Sequence, residues 1–257
     1  MKFNHILALV ATTLATAAPA GAALVTFSQG DLLMGFHATS GTGAGQTYVV
    51  DLGSAASFRD ATGNLTLNLG NIGADLTSLY GANWSSRTDL SWGIAGSPSN
   101  VDSINGDAAA TIYASKAGDA TTPPWQITSS NGRTSTSTRL QGVATAFSNG
   151  QATINSTVAS IQGDTDPNSW RSYMASGGTS GNTPGNLDFG AFSNIEGTPA
   201  ESLALFRISG AQAGAYEGSF SISSGGIVSF TPVPETSSAV IAGLGAMLVL
   251  VRRRRIA

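Results

Sequence analysis

Apolar and polar residues alternate in short runs along most of the chain, with turn-forming residues between the runs. Leu24-Val25-Thr26-Phe27 and Leu32-Leu33-Met34-Gly35-Phe36 come first, and a Gly-rich turn over 40–45 leads to Thr47-Tyr48-Val49-Val50-Asp51-Leu52. Extended runs joined by such a turn predict a hairpin or meander. Leu65-Thr66-Leu67-Asn68-Leu69 has the period of two of a half-buried strand. Residues 90–94 and 110–114 predict further strands. Near the end, residues 202–208 and 215–221, a turn over 223–226 and residues 227–230 predict a β-hairpin. Asp75 is expected to cap a short helix over 76–80, stopped by Gly81. Leu140, Val143, Ala144 and Phe147 have helical spacing, so a helix is expected within 140–161 although Gly142 and Gly150 weaken it. Residues 176–185 read as a Gly/Ser/Thr-rich loop, and no fixed-period repeat is evident. The pattern predicts a mainly β chain, a β-sandwich or jelly-roll-like extracellular domain over residues 23–232 with one or two short helices.

The two ends carry a different pattern. Lys2 precedes the apolar opening Ile6-Leu7-Ala8-Leu9-Val10, and small residues line up as Ala18-Pro19-Ala20 and Ala20-Gly21-Ala22. Charge, apolar core and small-residue exit in that order predict a secretory signal peptide over 1–22. The expected partners are therefore the Sec translocon and a signal peptidase. At the other end, residues 239–251 are uncharged, 237 and 238 are serines, and Arg252, Arg253, Arg254 and Arg255 follow without interruption. A spanning helix needs about 20 residues. Residues 237–251 are short of that, but arginine snorkelling and local bilayer thinning close the gap. Four arginines stay on the cytoplasmic side, which places the preceding domain outside and makes membrane lipid a partner of the tail.

Val233, Pro234, Glu235 and Thr236 stand immediately before that apolar segment. Pro-Glu, a short apolar helix and a terminal arginine cluster together resemble the PEP-CTERM sorting signal of Gram-negative bacteria. The resemblance covers residues 233–257, and the family's usual Val-Pro-Glu-Pro has threonine in its last place here. It implies processing by an exosortase, a membrane-embedded transpeptidase-like enzyme, with delivery to the cell surface or beyond. It also implies an association with extracellular polysaccharide. The competing expectation is a plain C-terminal anchor that is never cut.

Composition narrows the activity of the central domain. Without the termini, seven basic residues face fourteen acidic ones, and Lys116 is the single lysine left. Such a surface has no electrostatic footprint for nucleic acid. The chain has no cysteine, hence no disulfide, thiol nucleophile or thiolate metal site. His37 is the only histidine after export, which leaves one base for a triad and too few ligands for a His-based zinc site. It is expected to be a polar residue at a strand end. Glu196, Glu201 and Glu217 are the domain's only glutamates, and no local motif joins two carboxylates. No catalytic residue, metal site or cofactor is expected.

Two weaker motifs remain. Asp164, Asp166 and Asn168 alternate within Asp-Thr-Asp-Pro-Asn and offer oxygen ligands for calcium, but Ser169 and Ala175 occupy the places where an EF-hand has Gly and Glu. An Asx-rich turn before Trp170 is the plainer reading. Among Trp84, Trp92, Trp125 and Trp170, the turn sequence Pro123-Pro124-Trp125 marks Trp125 as the exposed ring and a candidate glycan contact. The sequence therefore points to an exported, membrane-tethered, non-catalytic surface or matrix protein. A carbohydrate-binding module and a secreted carboxylate-dependent polysaccharide hydrolase are the alternatives.

Overall fold

The computed structural model describes residues 25–125, 129–163, 165–174, 195–210 and 212–233. The strands are β1 (Asp31–Ala38), β2 (Gln46–Ser54), β3 (Leu65–Thr66), β4 (Leu90–Gly96), β5 (Ile112–Ala117), β6 (Gln151–Ala152), β7 (Ala159–Gly163), β8 (Glu196–Gly197), β9 (Leu203–Ile208), β10 (Ala215–Ile222) and β11 (Val228–Pro232). The helices are α1 (Ala55–Arg59), α2 (Ile72–Tyr80), α3 (Ser130–Asn149) and α4 (Trp170–Met174). The chain is thus mainly β, as its pattern predicts, with four α-helices among the described residues in place of one or two, and α3 runs for 20 residues.

All the strands join one antiparallel sheet in the order β3-β11-β10-β9-β5-β4-β1-β2-β7-β6, and β8 pairs with β4 off this path. The sheet curls into a half-barrel. Strand twist and two bulges, at Leu32/Leu33 and at Tyr216/Gly218, bend it. In place of two facing sheets, helices cover both faces of this one. Leu32, Met34 and Phe36 of β1 and Tyr48 and Val50 of β2 pack with Phe58 of α1 and Leu76 of α2. On the opposite face Leu33, Val49, Ala95 and Phe206 pack with Leu140, Val143 and Phe147 of α3 and with Trp170 of α4.

Burial on both faces explains the unbroken run Leu32-Leu33-Met34, since such strands have no solvent side on which to place polar residues. β11, by contrast, alternates buried with less buried positions, as a one-faced strand does. Aromatic rings fill the first core: Phe36 stacks on Trp92 at 6.1 Å, and Phe220 lies 4.7 Å from Phe230 and 5.1 Å from Phe58.

Three local expectations change. The N-cap of α2 is Asn71, whose side chain accepts from the Ala74 N–H at 3.1 Å, so the helix starts earlier than an Asp75 cap allows. Asp75 is buried inside the helix instead, bonded by the Tyr48 hydroxyl (2.9 Å) and Asn155 Nδ2 (2.7 Å). The helix expected within 140–161 begins at Ser130, capped by Ser129, and stops before Gly150. Residues beyond it enter β6 and β7, because Gly150 ends the helical spacing and a new extended run begins. Val25 to Phe27 join no strand. The signal segment 1–22 and the tail 234–257 lie outside the described residues. Among the described residues no helix is long and apolar enough to cross a membrane.

Candidate functional site

Glycine creates the most unusual part of the sheet. Gly35 of β1 and Gly93 of β4 are register partners, so two neighbouring strands present bare backbone at one level. The indole of Trp170 lies on that bare patch. A Cβ at Gly35 would fall among the ring atoms of Trp170, and one at Gly93 would stand 3.3 Å from its Cζ2. Glycine in a strand interior marks such a close approach. α4 delivers the ring, and the Trp170 N–H donates to Gln162 Oε1 at 3.2 Å.

The same ring reaches Glu196, which β8 brings beside Gly93. Trp170 Nε1 donates to Glu196 Oε1 at 2.7 Å, and His37 Nε2 bonds Glu196 Oε2 at 2.9 Å. An ionised carboxylate only accepts, so Nε2 carries the hydrogen of this bond. His37 is 3 % exposed, and the bond joins residues 159 apart in the chain. His37, next to last in β1, therefore stands at a strand end as expected, and it is buried and tied there. β4 and β5 diverge here. Ser115 Oγ fills the gap by accepting the Ile94 N–H at 2.8 Å and donating to the Ile195 carbonyl at 2.6 Å.

A second polar group sits on the same face, at the far end of β1. Asp31 and Asp51 interact beside the Leu32/Leu33 bulge, and Gly53 N–H donates to Asp51 Oδ1 at 2.8 Å. Burial, assisted by the Asp31 charge and hydrogen bond, pushes the Asp51 carboxyl up to about 7 despite the Gly53 bond. Burial also raises Asp31. The folded state therefore holds a proton that the unfolded chain releases near pH 4. Between about 4 and about 7 the native state binds more protons, so stability falls as pH rises through that window and is flat above it. The expected loss is on the order of 2 kcal/mol after allowance for solvent screening. Asp51→Asn keeps a donor for Asp31 and an acceptor for Gly53. Thermal melts at pH 5 and pH 8 should differ in the wild type and nearly coincide in this variant.

A third cluster is ionic. Asp107 is buried and accepts from the Tyr113 hydroxyl at 2.8 Å, with Arg59 Nη1 at 3.0 Å and Arg207 Nη1 at 3.8 Å. Burial and the Asp107 carboxylate raise the Tyr113 hydroxyl above its ordinary value. Arg59 also clamps Asp60 with two bonds of 2.8 Å, and Arg207 Nε bonds Glu217 at 2.6 Å. Every partner here is a protein group, so the cluster joins α1, β5, β9 and β10.

The residues singled out in the sequence fall elsewhere. Trp125 is 7 % exposed, and Lys116 Nζ stands 4.8 Å over its ring centre. The exposure on which its glycan contact rested is absent, because Trp125 belongs to the core on the α3 face, and the Gly214 N–H donates to its carbonyl at 2.9 Å. Asp166 Oδ1 accepts the Asn168 N–H at 2.8 Å, and Asn168 Oδ1 accepts the Tyr173 hydroxyl at 3.0 Å, an Asx turn leading into α4. Asp164 lies outside the described residues. Among the described residues no group of three or more His, Asp or Glu is placed to hold a metal ion. Val233 is described and 41 % exposed, whereas Pro234, Glu235, Thr236 and Arg252 to Arg255 lie outside. Sequence reasoning missed the His37–Glu196–Trp170 set and the Asp31–Asp51 pair. The one signal for the former was glycine within two strand-like runs. No protein family matches the chain, and no curated protein or solved structure is similar to it.

Proposed function

We propose that the chain is an exported, non-catalytic surface or matrix protein of a Gram-negative cell envelope. On this reading the signal over 1–22 sends it through the Sec translocon and is removed. The apolar segment 237–251 then holds it in the inner membrane with Arg252 to Arg255 in the cytoplasm. An exosortase-type enzyme cuts near Pro234-Glu235 and passes the folded domain outward, where extracellular polysaccharide is its setting.

The observation that carries the reading is where the sheet ends. β11 closes at Pro232, and the Val233 N–H donates to the Glu217 carbonyl at 3.2 Å. A cut beside Pro234 or Glu235 removes no described strand, so the released domain keeps its sheet. Val233 is exposed, which gives a processing enzyme an approach to the junction. The alternatives have less support. A glycan-stacking strip lacks an exposed ring at Trp125. The Asp31 and Asp51 carboxyls are buried against each other at one end of the sheet, whereas glycosidase carboxylates stand roughly 5–10 Å apart across the scissile bond.

Replacing Arg252 to Arg255 with glutamine tests the sorting step. Cell fractionation should find the wild-type domain at the surface or in the medium and the variant retained with the inner membrane. Equal distribution of the two would remove the sorting reading.

A further inference from the structure

Ser91 of β4, His37 of β1, Thr47 of β2 and Gln162 of β7 are successive register partners across four strands, so their side chains form one polar row on one face. His37, Thr47 and Gln162 are 3 %, 0 % and 4 % exposed. Each has a buried polar atom without a protein partner: His37 Nδ1, Thr47 Oγ1 and Gln162 Nε2. Ser160 Oγ, two residues back along β7, is a fourth. Unpartnered buried groups are rare, and each costs free energy unless something bonds it. Three of them, on His37, Thr47 and Gln162, stand in one cross-strand row and call for a common partner.

The roles of these atoms are fixed by what their other ends do. In the neutral imidazole, giving the Nε2 hydrogen to Glu196 leaves Nδ1 as an acceptor. Gln162 Oε1 accepts the Trp170 N–H, so its amide is oriented with the NH₂ group free to donate. Thr47 Oγ1 both donates and accepts. A partner must therefore give a hydrogen to Nδ1 and take one from Nε2. A carboxylate or a phosphodiester has no hydrogen for Nδ1, and an ammonium has no lone pair for Gln162. A hydroxyl has both on one atom.

We propose that the His37–Thr47–Gln162 row is a binding site for a hydroxyl ligand, supplied either by buried water or by the hydroxyl of a polyol. Glu196 and Trp170 act as positioning residues: they set the imidazole and the amide so that acceptor and donor face the same ligand. Water suits the depth of the row, since buried water bridges polar groups of this kind with about three bonds. Ser91, half-buried at the end of the row, is the side from which a polyol would enter.

The test uses the full chain in detergent micelles, ¹⁵N-labelled at histidine, in a His5→Gln background so that His37 gives the only imidazole signals. The Nδ1 resonance should be that of a hydrogen-bonded acceptor. If water is the source, His37 or Thr47 protons show a cross-peak to long-lived water that glycerol leaves unchanged. If a polyol is the source, glycerol or a methyl glycoside removes that cross-peak and moves the His37 signals. Thr47→Val, which keeps the shape and deletes the hydroxyl, should shift Nδ1 and lower the Tm by about 2–4 °C. An Nδ1 resonance of an unbonded nitrogen, with no water contact and a Tm raised by Thr47→Val, would overturn the proposal, because deleting an unbonded buried hydroxyl is stabilising.

Discussion

Gly35→Ala should destabilise the domain by about 3 kcal/mol or more, at the upper end of what overpacking a core costs. The new methyl group would occupy the space of the Trp170 ring, which has nowhere to shift. Its Nε1 is bonded to Glu196, and its backbone N–H is bonded to Gln162. Displacing the ring would break the first bond and strain the second. The same substitution in a Trp170→Leu background should add little, because the conflict needs both partners. Urea midpoints of the two single variants and the double variant give the coupling directly. Additive effects would mean that the ring does not lie on the glycine pair.

Asp107→Ala should cost about 3 kcal/mol, the lower end for breaking a buried ion pair. Removing the carboxylate leaves the buried Tyr113 hydroxyl without its acceptor and takes the counter-charge from Arg59 and Arg207. The loss stays at the lower end because Arg59 keeps Asp60 and Arg207 keeps Glu217. Adding Tyr113→Phe should recover part of the loss by removing the stranded hydroxyl. Denaturant unfolding of the single and double variants is the measurement, and no recovery would mean that Tyr113 contributes nothing to the cluster.

Much of the strand content was legible in the chain, and the arrangement was less so. The closing hairpin of β10 and β11 could be read from alternation and a Gly-rich turn, because both signals are local. β1 and β2 were legible as strands, but their unbroken apolar runs also stated that both faces are buried. That is the difference between one sheet with helices on each side and two sheets facing one another. The first half of α3 went unread because Ser, Thr and Arg dominate residues 130–139, and its packing against the sheet begins in earnest at Leu140. Trp125 looked exposed because Pro-Pro-Trp signals a turn; a turn's exposure depends on what packs over it, here Lys116 and the second core.

The polar set around His37 was beyond local reading for a similar reason. His37 and Glu196 are brought together by β8 entering the gap between β4 and β5, a non-local event with no spacing to betray it. Gly35 and Gly93 were visible in the sequence, yet only their register shows that they form one bare patch. The ends behave oppositely: signals read by processing machinery are linear, so their order alone carries meaning.

Removal of the signal segment and the tail is read directly from the intact mass of the protein recovered from its native envelope. Processing predicts a mass that starts after the signal segment and ends beside Pro234 or Glu235, and that end should vanish when Arg252 to Arg255 are deleted. A mass that retains the tail through Ala257 would contradict the processing step and leave a simple single-span anchor.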